Sequence, residues 1–488
     1  MEQDHDFGFL DEQEAERFFK KLVSKLREYS GVYTTYEIDY KKGEFIKFSI
    51  WLEVIKGLHT EFLNPLATNL DTLVQLIKYY NHKYSKIHPT LINSLIKDLS
   101  LSYIFDEYNI LEEEKAEKYE SLINDINNIG AKTYEGKKAD LGVIYYPNKK
   151  ALDQLKKLDL EIINLPEEKS VRAFFDEKPF LRLIDNMTFA ILINPSLKIE
   201  ALVRKKNSGK SVNHVLEEKF NDHFTSIARQ STLNYLFELV EQKSKPEDKG
   251  ILEKAKKLYE KPAEIPQYIY FSLKDTKINI YTNKHFVLTY YHGEWKLKDY
   301  CLLRSVIAKF IIEIHETMFI MLDRFNNLFD KINNFALKLK RLSESNTSSI
   351  ILIDSRKLDN DSERKTELKD LEINNLIRQD GGNALCLHSI ENITNKNANL
   401  NVNEIDYFFM ETICSVDGAL IIDSNLNIVS FGKIINNPAR DNKENEIIYG
   451  TGTSAALQAS KNKVCLAIKI SEDGDIIFFN DGSKQLLI

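Results

Sequence analysis

Cysteine is scarce in this chain. Its 488 residues include four, Cys301, Cys386, Cys414 and Cys465, scattered without a Cys-x-x-Cys pair. That spacing excludes a disulfide framework and a thiolate zinc site, and it fits a reducing cytoplasm. Proline and glycine are also few, at 10 and 18, so long flexible linkers are not expected; the best linker candidate is 243–250, around Pro246. Long apolar runs are missing. The most apolar helical stretch, 310–325, is broken by Glu313, His315, Glu316 and Asp323, so it is not expected to span a bilayer. The acidic amino terminus, MEQDHDFGFLDEQEAE, lacks the apolar core of a signal peptide. An excess of positive charge is absent too. A formal net charge of −7 argues against a general polyanion surface, so neither nucleic acid nor membrane is expected as a partner. No internal repeat stands out, and the ten histidines show no His-Glu-x-x-His spacing.

What is present is ordinary soluble-protein composition, 43% hydrophobic and 28% charged, in a chain long enough for about two to four cores. Asp11 and Glu14 form a capping-box pattern, and Ala15, Phe18, Phe19, Leu22, Leu26 and Tyr29 then share one helical face. From Phe45 to Tyr108 the pattern reads as mostly helical, and 112–120 reads as a solvated helix face. The texture changes near Gly130. Short strands are expected at 141–146, 160–165, 189–193 and 199–203, with a helix over 212–242. An antiparallel meander follows over 268–291, ending at His292-Gly293-Glu294-Trp295. Helical sequence returns over 302–342, and further strands are expected at 349–354 and 384–388. The expected fold class is α/β (α+β): a helical amino-terminal region over 1–130, a mixed α/β region over 131–298, and a carboxy-terminal mixed sheet flanked by helices over 299–488.

The last of these regions holds the densest pattern. A buried strand, 419–422, leaves an Asp-Gly step; Asn425 marks a turn and a second strand runs from Ile428 to Ile435. Gly450-Thr451-Gly452-Thr453-Ser454 opens an Ala-rich helix. A hairpin, expected to be type I′, closes on Asp473-Gly474. Bare backbone N–H groups and hydroxyls ahead of a helix suit phosphate oxygens.

Three of these segments, in order, resemble the diadenylate cyclase domain, whose members join two ATP molecules into cyclic di-AMP. Asp417-Gly418-Ala419 matches the family's Asp-Gly-Ala step. Gly450, Thr451, Ala455 and Ala456 match the edges of its Gly-Thr-Arg-His-Arg-Ala-Ala segment. Ser471, Glu472, Asp473 and Gly474 match Ser-Glu-Glu-x-Gly. Gly452, Thr453 and Ser454 stand where the family has Arg-His-Arg. The resemblance covers roughly the last third of the chain and implies a mixed sheet flanked by helices, an ATP or related purine nucleotide ligand, and Mg²⁺ or Mn²⁺. It also implies a homo-oligomer, because two domains must face each other to close the cyclic product. Gly293-Glu294-Trp295 followed by Lys298-Asp299-Tyr300 resembles the sensor-like regions found ahead of such domains in bacteria.

The resemblance implies catalytic and metal-side roles for Asp417 and Glu472, and nucleotide contacts for Gly418, Ala419, Gly450, Thr451, Gly452, Thr453 and Ser454. Plainer readings stand beside these: an Asp-Gly turn at 417–418, a hairpin turn at 473–474, and a helix cap at 451–454. Arg440 and Lys443 are candidates to replace the missing cations, since a guanidinium–phosphate bond is about twice as strong as a neutral one. Ser208-Gly209-Lys210-Ser211 ends like a phosphate-binding loop, but Arg204 stands where the leading Gly is required. Cys386 and His388 read as ordinary strand residues. Three functions are therefore weighed: a cyclase governed by a sensor, a receptor in a signalling or defence pathway that binds a nucleotide without turning it over, or a scaffold whose cyclase-like domain only mediates assembly.

Overall fold

The alternation of apolar and polar residues after Gly130 becomes an eight-stranded sheet. In the computed structural model of the protein the described residues fall into two units. The first comprises residues 3–5, 12–31, 34–41, 45–52, 70–84, 88–134, 137–206, 209–228, 264–274 and 276–301. The second comprises 229–243, 302–314, 318–345, 347–354, 400–435, 450–461 and 465–488.

In the first unit the helix Glu12–Ser30 buries Ala15, Phe18, Phe19, Leu22, Leu26 and Tyr29, the face its spacing marks. Residues 45–52 correct the expected helical pattern. Thr34–Lys41 and Phe45–Leu52 are strands, paired antiparallel along their full length. FIKFSIWL and TTYEIDYK are rich in aromatic and β-branched residues, and pairing satisfies a backbone that a lone segment of that composition would leave open.

The large sheet has the order Glu294–Lys298, Val287–Tyr291, Lys277–Tyr281, Ile269–Lys274, Leu141–Tyr145, Phe189–Ile193, Ile199–Lys205, Leu160–Lys169. The 268–291 meander thus gains a fourth strand through a two-residue turn, where His292 (φ 51°) and Gly293 (φ 81°) have the positive φ pair of type I′. All five residues of Leu141–Tyr145 are buried, as befits a central strand covered on both faces. His223 is buried and His285 half-buried. His285 Nε2 stands 3.8 Å from Asp299 Oδ2, beyond hydrogen-bond reach. Desolvation pushes both His223 and His285 down to about 4.

In the second unit the expected 302–342 helical stretch is found as Tyr300–Ile314, which begins at the end of the first unit, and Met318–Glu344. The chain's helix Val212–Lys243 contributes its later half here. Tyr235 Oη donates to Glu313 at 2.8 Å, and Arg229 pairs with Asp330 at 2.5 Å while lying over the Phe329 ring. Arg304, only 1% exposed, donates through Nε to Asn333 Oδ1 at 2.7 Å.

The six-stranded sheet runs Ile428–Lys433, Ala419–Ile422, Ser349–Asp354, Cys465–Ile470, Ile476–Asn480, Ser483–Leu487. Ser349–Asp354 is parallel to Ala419–Ile422 and antiparallel to Cys465–Ile470. On one face Ala456 and Ala459 of the helix Thr451–Ser460 pack with Leu352, Ala419, Ile421, Cys465, Ala467 and Phe479. Small alanines let that helix lie close to the strands, and the helix Met318–Glu344 also packs against Cys465–Ile470. The Asn425 turn is organised by Asp423, whose carboxylate accepts from the N–H groups of Asn425 and Asn427 at 2.8 Å each.

The type I′ expectation at Asp473-Gly474 is overturned. Only Gly474 has positive φ, at 82°; Gly474 N–H donates to Ser471 O and Ser471 N–H to Asp475 O. This is a three-residue loop closed by a glycine bulge. The type I′ turn lies one hairpin later, at Asp481 (φ 50°) and Gly482 (φ 71°). The expected strand at 384–388 with Cys386 and His388, the charged stretch after Asp354, the 244–250 linker with Pro246, Asp11, Arg440 and Lys443 lie outside the described residues. The three described cysteines are buried and form no disulfide.

Candidate functional site

The three motif segments meet at one end of the six-stranded sheet: strand register brings two of them there, and the helix start joins them where Gly452 lies against Lys469. Ala419 pairs with Ile350 in the parallel ladder, and Ile350 pairs with Lys469 in the antiparallel one. Asp417, just before Ala419, and Glu472, just after Ile470, therefore flank the start of Ser349–Asp354 from its two neighbouring strands. At ordinary strand spacing that places their backbones about 10 Å apart. Both carboxylate residues are exposed.

Gly418 is there for backbone reasons. Its φ is 115°, and a Cβ on it would lie 2.6 Å from the carbonyl carbon of Gly432. Gly432, at φ 67°, opposes it across an irregular stretch of the Ala419/Lys433 pairing. The two glycines let strands 419–422 and 428–433 close tightly behind Asp417. Ala419 is fully buried in the core cluster.

The helix Thr451–Ser460 starts at the same end. Gly450 is its N-cap with φ −60° and ψ 160°, and no side chain caps the helix. The hydroxyls of Thr451, Thr453 and Ser454 thus do not serve as the N-cap; Ser454 N–H donates to Gly450 O. The first N–H groups of a helix have no intrahelical acceptor, and here they open at an exposed Gly450 and Thr451. A β-carbon on Gly450 would meet nothing within 4 Å, whereas one on Gly452 would lie 3.1 Å from Lys469 Cε and 3.4 Å from its Nζ.

Lys469 is the residue that sequence reasoning missed. It is 5% exposed in a strand otherwise apolar, and its Nζ donates to Ser348 Oγ at 2.6 Å and to Ile470 O at 2.7 Å. Burial holds its ammonium below the ordinary lysine range, with Glu472 acting in the opposite direction. The available signal was a single lysine within CLAIKI, where a fully buried strand should carry none. Lys433 stands at the same sheet end, opposite Ala419. Elsewhere Lys210, in the loop that ends like a phosphate-binding one, pairs at 2.8 Å with Glu218.

Among the described residues no group of three His, Cys, Asp or Glu side chains could hold a metal ion. Asp417 and Glu472 do not by themselves make a closed site for Mg²⁺ or Mn²⁺, and no reaction step is derived through a resident metal. No helix among the described residues is long and apolar enough to cross a membrane.

A mixed sheet with helices packed on it, an uncapped helix start and two exposed carboxylates at one end define an α/β type of domain. Residues 338–484 match the family described as DisA bacterial checkpoint controller nucleotide-binding, DAC. The carboxy-terminal part of the chain is accordingly a DAC domain. No curated protein matches the chain. Among solved structures, a double mutant of DacA from Staphylococcus aureus is 18% identical, covering 32% of this chain and 87% of that one, with a TM-score of 0.21. A hypothetical membrane spanning protein from Bacillus cereus is 15% identical, covering 39% and 92%, with a TM-score of 0.22.

Proposed function

We propose that the DAC domain binds ATP at the sheet end bounded by Asp417, Gly450–Ser454 and Glu472, and that two copies facing each other join two ATP molecules into cyclic di-AMP. The observation that carries this is the register 419–350–469, which sets two motif segments at one end of one sheet, with Gly452 of the third lying against Lys469 at that end. The triphosphate lies against the N–H groups of Thr451, Gly452 and Thr453, where a helix dipole favours negative charge. In this reading Asp417 holds the ribose 3′-hydroxyl. In the joining step that 3′-oxygen bonds to the α-phosphorus of the facing ATP, the bond to the β-phosphate's bridging oxygen breaks, pyrophosphate leaves, and the hydroxyl proton passes to a carboxylate or water. Each cyclic product releases two pyrophosphates. A Mg²⁺ or Mn²⁺ ion enters with the phosphates as part of the substrate, which suits an ion held by one or two carboxylates and phosphate oxygens. The first unit is read as a sensor of this reaction, and the protein as a cytoplasmic homo-oligomer.

A second reading has its own observation. Gly452-Thr453-Ser454 stands in place of Arg-His-Arg, which removes up to three positive charges from the phosphate end. A domain so altered binds a nucleotide or cyclic dinucleotide and reports it without turnover. Calorimetry with ATP, a non-hydrolysable analogue and cyclic di-AMP tests the shared claim, and absence of binding by the folded protein to all three refutes it. Mass spectrometry after incubation with ATP and Mn²⁺ separates the two readings: a cyclic dinucleotide identifies the cyclase, bound but unchanged ATP the receptor.

A further inference from the structure

Lys469 occupies a costly position. Its ammonium is nearly removed from water, and it lies beside the first turn of the helix Thr451–Ser460, the positive end of that helix. Desolvation and the dipole both disfavour a cation there. Two of its three donors go to Ser348 Oγ and Ile470 O, both neutral acceptors. Glu472 is the carboxylate that acts on it, and it belongs to the exposed loop beyond the strand. The uncapped helix start and the held ammonium therefore lie side by side at Gly452. A tetrahedral oxyanion placed there would accept from both at once.

Gly452 completes the arrangement. A β-carbon at 452 would press on Lys469 Cε at 3.1 Å, so the absence of a side chain leaves room for the lysine to lie along the helix start. Gly452 is the first residue of the segment that departs from Arg-His-Arg. The missing side chain at 452 and the buried cation beside it thus go together in space.

We propose that Lys469 is the phosphate-binding cation of this site and that Gly452 exists to admit it, so that the domain selects nucleotides by their polyphosphate through a strand lysine. This rests on the nucleotide-binding reading above. The ligand class it specifies is a nucleoside polyphosphate, with Lys469 and the N–H groups of 451–453 sharing one phosphate group.

The test is calorimetric titration of the full chain, wild type and Lys469→Met, with ATP and separately with adenosine. The expected result is a loss of ATP affinity of about 10- to 100-fold in Lys469→Met, the range for a hydrogen bond to a charged group, with adenosine affinity unchanged within about twofold. Lys469→Arg should keep the preference for ATP, because it keeps the charge. Should Lys469→Met fail to fold, Lys469→Gln, which retains a donor for Ser348, carries the same comparison. Lys469 variants that bind ATP as tightly as wild type, or that lose ATP and adenosine equally, overturn the assignment of Lys469 and leave the nucleotide site standing. A folded wild type that binds no nucleotide overturns the site itself, and this inference with it.

Discussion

Replacing Gly418 with alanine separates the structural demands of the site from its chemistry. At φ 115° an L side chain is strained, and the new Cβ would lie 2.6 Å from Gly432 C, 2.8 Å from Lys433 N and 2.9 Å from Gly432 O. All three are backbone atoms in a paired strand, so they cannot rotate away as a side chain would. Backbone strain of about 1–3 kcal/mol adds to an overpacking cost of about 1–3 kcal/mol, so Gly418→Ala should destabilise the second unit by about 3 kcal/mol or more. For a unit of this size that lowers Tm by about 6–12 °C. Gly432→Ala offers the control. Its φ of 67° also disfavours alanine, but the new Cβ would meet the Val416 side chain at 3.1 Å, and a half-exposed valine can yield, so about 1–2 kcal/mol is expected. Calorimetric melting of the full chain and both variants checks this. A Gly418→Ala protein that melts within a degree of wild type, or that loses less than Gly432→Ala, would refute the close strand approach behind Asp417.

Asp417→Ala and Glu472→Ala remove exposed side chains at turn and loop positions, so each should cost about 1 kcal/mol or less in stability while abolishing any turnover; turnover surviving both changes would contradict their placement in the site. His223 and His285 have folded-state pKa values near 4 against an ordinary 6.5, so their contribution is complete above pH 6.5 and is lost as the pH falls toward 4. Each can cost up to about 3 kcal/mol over that window. Melting of the first unit should fall from pH 7 to pH 5 in wild type and fall less in His285→Gln; a flat wild-type profile would contradict it. A chain cut at 299 loses the helix segment that carries Leu233 and Leu236, both fully buried, and the Tyr235–Glu313 hydrogen bond. A 299–488 protein should therefore melt well below a 212–488 protein, and equal melting would refute the grouping of that helix with the second unit.

The elements around the site were legible where turn chemistry bounds them. Asp417-Gly418 and Asn425 delimit the strand Ala419–Ile422, and Gly450 with the alanines that follow delimits the helix Thr451–Ser460. Turn type was not legible from a dipeptide. Two Asp-Gly pairs lie eight residues apart, and only the ladder register, Ile470 opposite Ile476 and Asn480 opposite Ser483, decides which is bulged and which is type I′. The strand at 45–52 reads as helix in sequence because aromatic residues at mixed spacing suit either period, and pairing with a neighbouring strand decides the outcome. Lys469 was not legible because the cations nearest Gly450 along the chain are Arg440 and Lys443, in the preceding loop. The cation instead reaches the helix start from a neighbouring strand, a proximity that exists only after the sheet forms.

Hydrogen–deuterium exchange of the full chain with and without ATP and Mg²⁺ tests the central claim most directly. The expected result is slowed exchange in peptides covering 417–419, 450–456 and 469–474 together, with the strongest protection at 451–453, where N–H groups would donate to phosphate. Protection confined to the first unit, or none in these three segments under conditions where ATP is bound, would contradict a nucleotide site at this end of the sheet.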